Sequence, residues 1–150
     1  MRRRAVLVAL GLVLAVAACS GGSTAGPPTT LPGDLVPAAA ATAKVTVANG
    51  GITTPVATDV VAKAVPFLVR RVFDAQEPLS GYGLDAPRAT ITFTQADGTT
   101  TVLRVGAEEF DKTATYVQRD GDGRIWLVLD ESLDPLLAGG GITPTSAAPG

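Results

Sequence analysis

The sequence predicts an α+β domain, a small antiparallel sheet of about four to six strands with one or two short helices packed on it. Three observations carry this expectation. The hydrophobic period in the middle of the chain is two rather than 3.6, the alternating stretches come in pairs around glycine-containing turns, and only two short stretches carry helix signals.

Taken in order, "KVTVA" (44–48) reads as a strand ended by Asn49-Gly50-Gly51. Thr58 or Asp59 can cap a short helix through "VVAKAVPFL", which Pro66 should shorten because it removes a backbone donor and clashes with the preceding turn. "VRRVF" then reads as extended. "RATITFT" alternates Ala89, Ile91 and Phe93 against threonines, "QADG" supplies a turn, and "TTTVLRVG" returns as the second arm of a hairpin. A second hairpin is expected from "ATYVQ" and "RIWLVL" around "RDGDG". In its last strand Ile125, Leu127 and Leu129 oppose Trp126 and Val128, so both faces are apolar; the strand is either covered on both sides or offers one face to a partner. Asp130 or Ser132 can start a final helix through "LDPLLA", stopped by Gly139.

The ends of the chain differ from this core. Arg2, Arg3 and Arg4 precede Ala5 to Ala18, which contains no charge, the layout of a secretory signal over residues 1–18. Its apolar run is shorter than the roughly 20 residues needed to span a bilayer as a permanent helix. Val16, Ala17 and Ala18 then precede Cys19, the only cysteine, and this stretch resembles the lipobox of bacterial lipoproteins, with valine where leucine is commoner. The resemblance implies recognition of Val16, Ala17 and Ala18 by a signal peptidase and acylation of Cys19. An ordinary signal peptide or uncleaved anchor is the alternative, and the twin-arginine pattern fits Arg2 to Leu7 only loosely. Two or three acyl chains hold a protein firmly, since each buried methylene contributes about 0.8 kcal/mol. Residues 19–43 read as the lipidated cysteine and a flexible tether, long enough to hold the domain on the order of 25 to 30 Å from the membrane. The domain is expected over 44–138, and 139–150 as a disordered tail.

Composition narrows the chemistry. Without the signal, 9 basic and 14 acidic residues remain, and such a surface does not attract nucleic acid or anionic headgroups. The chain has no histidine, and acylation would consume Cys19, which excludes Ser-His-Asp triads, Cys-His dyads, histidine or thiolate metal sites and disulfides. "RDGDGRIWLVLDE" imitates a calcium loop through Asp120, Asp122 and Glu131, but Arg124 and Ile125 stand where a ligand and the glycine belong. It reads as a solvated hairpin turn. Glu108, Glu109 and Asp111 likewise read as an exposed acidic loop, so neither metal nor cofactor is expected.

Residues 82 to 106, "YGLDAPRATITFTQADGTTTVLRVG", with 114 to 137, "ATYVQRDGDGRIWLVLDESLDPLL", resemble the bacterial family called domain of unknown function 4340. The features shared are Tyr82-Gly83-Leu84-Asp85 with Pro87, the alternating strand, the Leu103-to-Gly106 strand end and the Tyr-Val strand, and the likeness extends over about Val56 to Leu137. The resemblance carries no activity. Longer members carry such a unit more than once and are membrane-attached, whereas this chain has room for one. Gly81 and Gly83 free the backbone around Tyr82, which is either a core plug or an exposed recognition side chain; with Trp126 it is the candidate contact for a partner or ligand. The leading expectation is a lipid-anchored, non-enzymatic envelope protein that binds an envelope protein or supports an assembly. The alternative is a carrier or sensor of a small apolar ligand held behind Phe67, Phe93 and Trp126. A third reading, a hydrolase with paired carboxylates, needs two acids facing one cleft.

Overall fold

The computed structural model describes residues 29–30, 35–76 and 78–143. Eight strands and two helices follow in the order β1 (Thr29–Thr30), β2 (Thr42–Asn49), β3 (Ile52–Val56), α1 (Thr58–Ala64), β4 (Leu68–Asp74), β5 (Ala89–Gln95), β6 (Thr100–Glu108), β7 (Ala114–Arg119), β8 (Arg124–Leu129) and α2 (Asp130–Gly139). They build one antiparallel sheet in the order β1-β4-β8-β7-β6-β5-β2-β3. The α+β class and the two helices agree with the sequence, and the strand count exceeds the four to six expected. Seven strands are full ones, and β1 is a two-residue addition at the edge.

Both expected hairpins form. Ile91 lies opposite Leu103 and Phe93 opposite Thr101 across β5 and β6, and Val117 lies opposite Trp126 across β7 and β8. Gly98, at φ 85, closes the first turn, where the Asp97 carboxylate accepts a hydrogen bond from the Thr99 N–H at 2.8 Å. β3 is the strand missed. Its Pro55 cannot donate to a ladder, yet it sits opposite Thr46 on an edge strand, the place where a sheet tolerates proline. α1 begins without a side-chain cap and ends at Ala64, ahead of Pro66 as anticipated.

Cross-strand partners place Val45, Val47, Ile91, Phe93, Leu103, Val105, Val117, Trp126 and Val128 on one face of the sheet. The α2 residues Leu133, Leu136 and Leu137 and the α1 residues Val61 and Ala64 join the same buried cluster. Phe67 meets Phe93 edge-to-face with centroids 6.4 Å apart. Ser132 links strand to helix, its Oγ accepting from the Leu68 N–H at 3.1 Å and donating to the Leu129 carbonyl at 2.9 Å.

Two boundaries move. Leu35 and Val36 are buried in this cluster, and Thr29–Thr30 pairs with Val69 and Leu68. The folded unit therefore begins well before Lys44, and residues 35–43 are not part of a tether. The sequence misleads here because the two core residues stand alone among Pro, Gly and Ala, without a period. At the other end Gly139 is helical, and a Cβ on Gly140 would lie 2.4 Å from that of Val47, so α2 closes tightly on β2. Ile142 packs against the core, and the order expected to stop at Ala138 continues through it. The signal, Cys19, the remainder of the tether and the rest of the tail lie outside the described residues.

Candidate functional site

The second face of β8 is covered by the segment between β4 and β5. Opposite neighbours put Phe73 with Ile125, and Arg71 and Tyr116 with Leu127, on this outer side. A short 3-10 turn, Leu79–Tyr82, crosses it and delivers Tyr82 beside Phe73 and Tyr116, with centroids 5.8 and 5.3 Å away. Phe73 and Tyr116 are themselves 6.4 Å apart and perpendicular. All three rings are half-buried, whereas Ile125, Leu127 and Leu84 beneath and beside them are buried. Burial, followed by the nearby Glu109 charge, pushes the Tyr116 hydroxyl above its ordinary value and keeps it a neutral phenol.

Two glycines dock this segment. Gly83 has φ 66, and a Cβ there would sit 2.7 Å from the Ala107 nitrogen; a Cβ on Gly106 would sit 2.2 Å from the Tyr82 carbonyl oxygen. The Tyr-Gly-Leu stretch and the Leu-x-Val-Gly strand end thus touch through backbone, with the Arg88 N–H donating to the Val105 carbonyl at 2.9 Å just beyond. Tyr82 packs as a plug against Phe73 and Tyr116, with its ring partly open to solvent. Trp126 is fully buried on the helix-covered side, under the Arg124 guanidinium 4.8 Å from its ring centroid, and offers no surface to a partner. Its indole N–H finds no acceptor among the described residues. Of the two strand readings, cover on both sides is the one observed. Cys19, Val16, Ala17 and Ala18 lie outside the described residues.

The acidic loop is tied down by arginines. Arg70 reaches Glu109 at 2.5 Å and Asp111 at 3.0 Å and donates to the Thr113 hydroxyl, and Arg88 pairs with Glu108 at 3.0 Å. The Thr113 hydroxyl and burial act in opposite senses on Asp111, the hydrogen bond prevailing, so that carboxyl sits below its ordinary value. In the β7–β8 turn Asp120 pairs with Arg104, and Asp122 with Arg124. Glu131, the last position of the calcium imitation, lies in α2 beyond the strand. No group of three or more candidate ligands for a metal exists among the described residues.

One carboxylate escaped sequence reasoning. Asp130 is 4 % exposed at the start of α2, where its Oδ1 accepts from the Thr115 hydroxyl at 2.7 Å, which in turn accepts from Arg88 at 3.0 Å. Burial raises its pKa, and its Oδ2 has no hydrogen-bond partner among the described residues. Sequence position announced it only as a helix start. A groove of about 330 Å³ lies elsewhere, between β2, β3 and α1, with Val45, Val56 and Val61 in its lining and Lys44 and Thr58 beside them. Phe67, Phe93 and Trp126 are themselves buried, each at most 1 % exposed.

No helix among the described residues is long and apolar enough to cross a membrane. No curated protein and no solved structure matches the chain. The family model described as "Domain of unknown function (DUF4340)" matches residues 57–139. That match runs from the residue before α1 to the end of α2 and contains both interlocking glycines. The chain belongs to this family of domains of unknown function, with β1, β2 and β3 lying outside the matched part.

Proposed function

We propose that the protein is a lipid-anchored component of a bacterial cell envelope, held at the extracytoplasmic face of the cell membrane through Cys19, whose domain is a non-enzymatic binding or assembly module for another envelope protein. The observation that carries the binding half is the outer aromatic trio of Tyr82, Phe73 and Tyr116 with the exposed Arg71 in the same cross-strand row. Tyrosine and arginine held on a rigid floor are the composition of interaction hot spots, because little side-chain freedom is lost on docking. The acids outside this face favour the non-enzymatic reading: Glu108, Glu109, Asp111, Asp120 and Asp122 are each paired with an arginine, Arg70 holding both Glu109 and Asp111, and no two of them stand free across a cleft. The anchor half rests on the Val16-Ala17-Ala18-Cys19 stretch.

Intact and native mass spectrometry of protein gently extracted from its own membrane tests both halves, with Cys19→Ser and Tyr82→Ser as controls. The expected result is acyl mass on Cys19 and a defined protein partner that Tyr82→Ser loses. An unlipidated chain defeats the anchor, and a partner indifferent to Tyr82 defeats the docking face. A second reading, carriage of a small apolar ligand, is favoured by the groove beside β2 and α1, whose size is at the lower end of small-molecule sites. A bound small molecule in place of a protein would transfer the proposal to that groove.

A further inference from the structure

Two large apolar side chains among the described residues stand out in solvent, Phe110 at 101 % and Ile52 at 72 % exposure. Both belong to the same end of the sheet. Phe110 is in the β6–β7 connection, and Ile52 follows the Gly50-Gly51 turn between β2 and β3; the ladders pair Ala48 with Thr90 and Ala89 with Val105, which sets both connections at one rim. Three strand spacings separate them, about 14 Å at 4.8 Å per strand.

The Phe110 loop is held in shape. Glu109 N–H donates to the Ala114 carbonyl at 2.7 Å, Lys112 N–H to the Glu109 carbonyl at 2.9 Å, and Arg70 clasps Glu109, Asp111 and Thr113 from β4. Lys112 takes a positive φ of 54° to complete the turn. At the loop itself Arg70, Arg88 and Lys112 equal Glu108, Glu109 and Asp111 in number, and Arg70 and Arg88 pair with all three acids. An exposed aromatic on a fixed, charge-balanced tip suits the boundary between headgroups and acyl chains, where such a ring leaves water without carrying a net charge with it.

The start of the fold lies at the same end. Thr29 and Thr30 pair with Val69 and Leu68, whose neighbours across the sheet lead to Leu129 and Ala114 beside the Phe110 loop. Cys19 is ten positions before Thr29, and ten residues span at most about 35 Å. We infer that Phe110, with Ile52, dips into the surface of a phospholipid bilayer and orients the domain rim-down on it. This inference rests on the anchor reading, because a lipid at Cys19 supplies the high local concentration that lets so small an apolar contact engage.

The test uses the full acylated chain in vesicles of phosphatidylcholine, with and without bromine on the acyl chains. Phe110→Trp places an indole at the tip, Ile52→Trp one at the second contact, and Ala96→Trp one in the exposed turn at the far end of the sheet. The wild-type chain supplies the emission of buried Trp126 for subtraction. Expected is loss of emission in bromolipid for Phe110→Trp, a smaller loss for Ile52→Trp and none for Ala96→Trp. Equal emission at positions 110 and 96 overturns the inference while the acyl mass leaves the anchor standing. A blue shift of the 110 indole in native membranes without bromine quenching in pure lipid identifies a protein as the occupant and also overturns it. A chain without acyl mass removes the anchor reading and this inference together.

Discussion

The two faces of the sheet are covered by different means. On one, α1, α2 and the Leu35-Val36 segment lay a continuous layer of Val, Leu and Phe over Val45, Ile91, Leu103, Val117 and Trp126. On the other, a single irregular segment covers β6 to β8, docked by backbone against backbone at Gly83 and Gly106 and weighted by three half-buried rings. The first cover holds by the apolar area it removes from water; the second holds by closeness of fit at two residues with no side chain. The thin cover also carries the stretch by which the chain resembles its family, so the motif marks a docking geometry within the fold.

The largest effect that would break this contrast is on the thick side. Trp126→Ala should cost about 3 to 5 kcal/mol, as full truncations of buried aromatics do, read by urea denaturation followed by circular dichroism. A loss near that of a surface change would mean that the helix-covered face is not the main store of stability. Gly106→Ala comes next, at about 1 to 3 kcal/mol, since the Tyr82 carbonyl must retreat. Its signature should be local: faster amide exchange over Leu79–Tyr82 and the end of β6, with α2 unchanged. Exchange that rises equally in α2 would show that the two covers are not separable.

The smallest effect sharpens the comparison at a polar seam of the thick cover. Burial raises the Asp130 carboxyl, so between its ordinary value near 3.8 and the raised one the folded chain binds more protons than the unfolded chain. Stability contributed by this group therefore falls as pH rises through that window and stays lower above it. Asp130→Asn keeps an oxygen for the Thr115 hydroxyl and should remove that slope from the difference between the two stability curves. Parallel curves would show that the carboxyl is ionised without cost.

Much of the thick cover was legible because it is periodic. Ala89, Ile91 and Phe93 declare one face, and the hairpin turns declare their partners. Leu35 and Val36 were not legible, because two apolar residues between Pro32 and a run of alanines have no period, and only the tertiary contact reveals them. Strand β3 was obscured by Pro55, which is permitted only by an edge position that local sequence cannot announce. At the candidate site, Tyr82 was visible through its flanking glycines, but its neighbours Phe73 and Tyr116 come from strands that only the topology brings together. Trp126 looked available because both faces of β8 are apolar, and sequence does not say how many covers a strand receives.

Pro55 gives the sheet a direction. A neighbouring chain seeking to extend a sheet needs an uninterrupted row of donors and acceptors, and the β3 rim lacks a donor at its fourth residue. At the opposite rim the described residues Thr29 and Thr30 of β1 pair with Val69 and Leu68 of β4. With the row of donors broken at β3, growth of the sheet by strand addition is discouraged on that side.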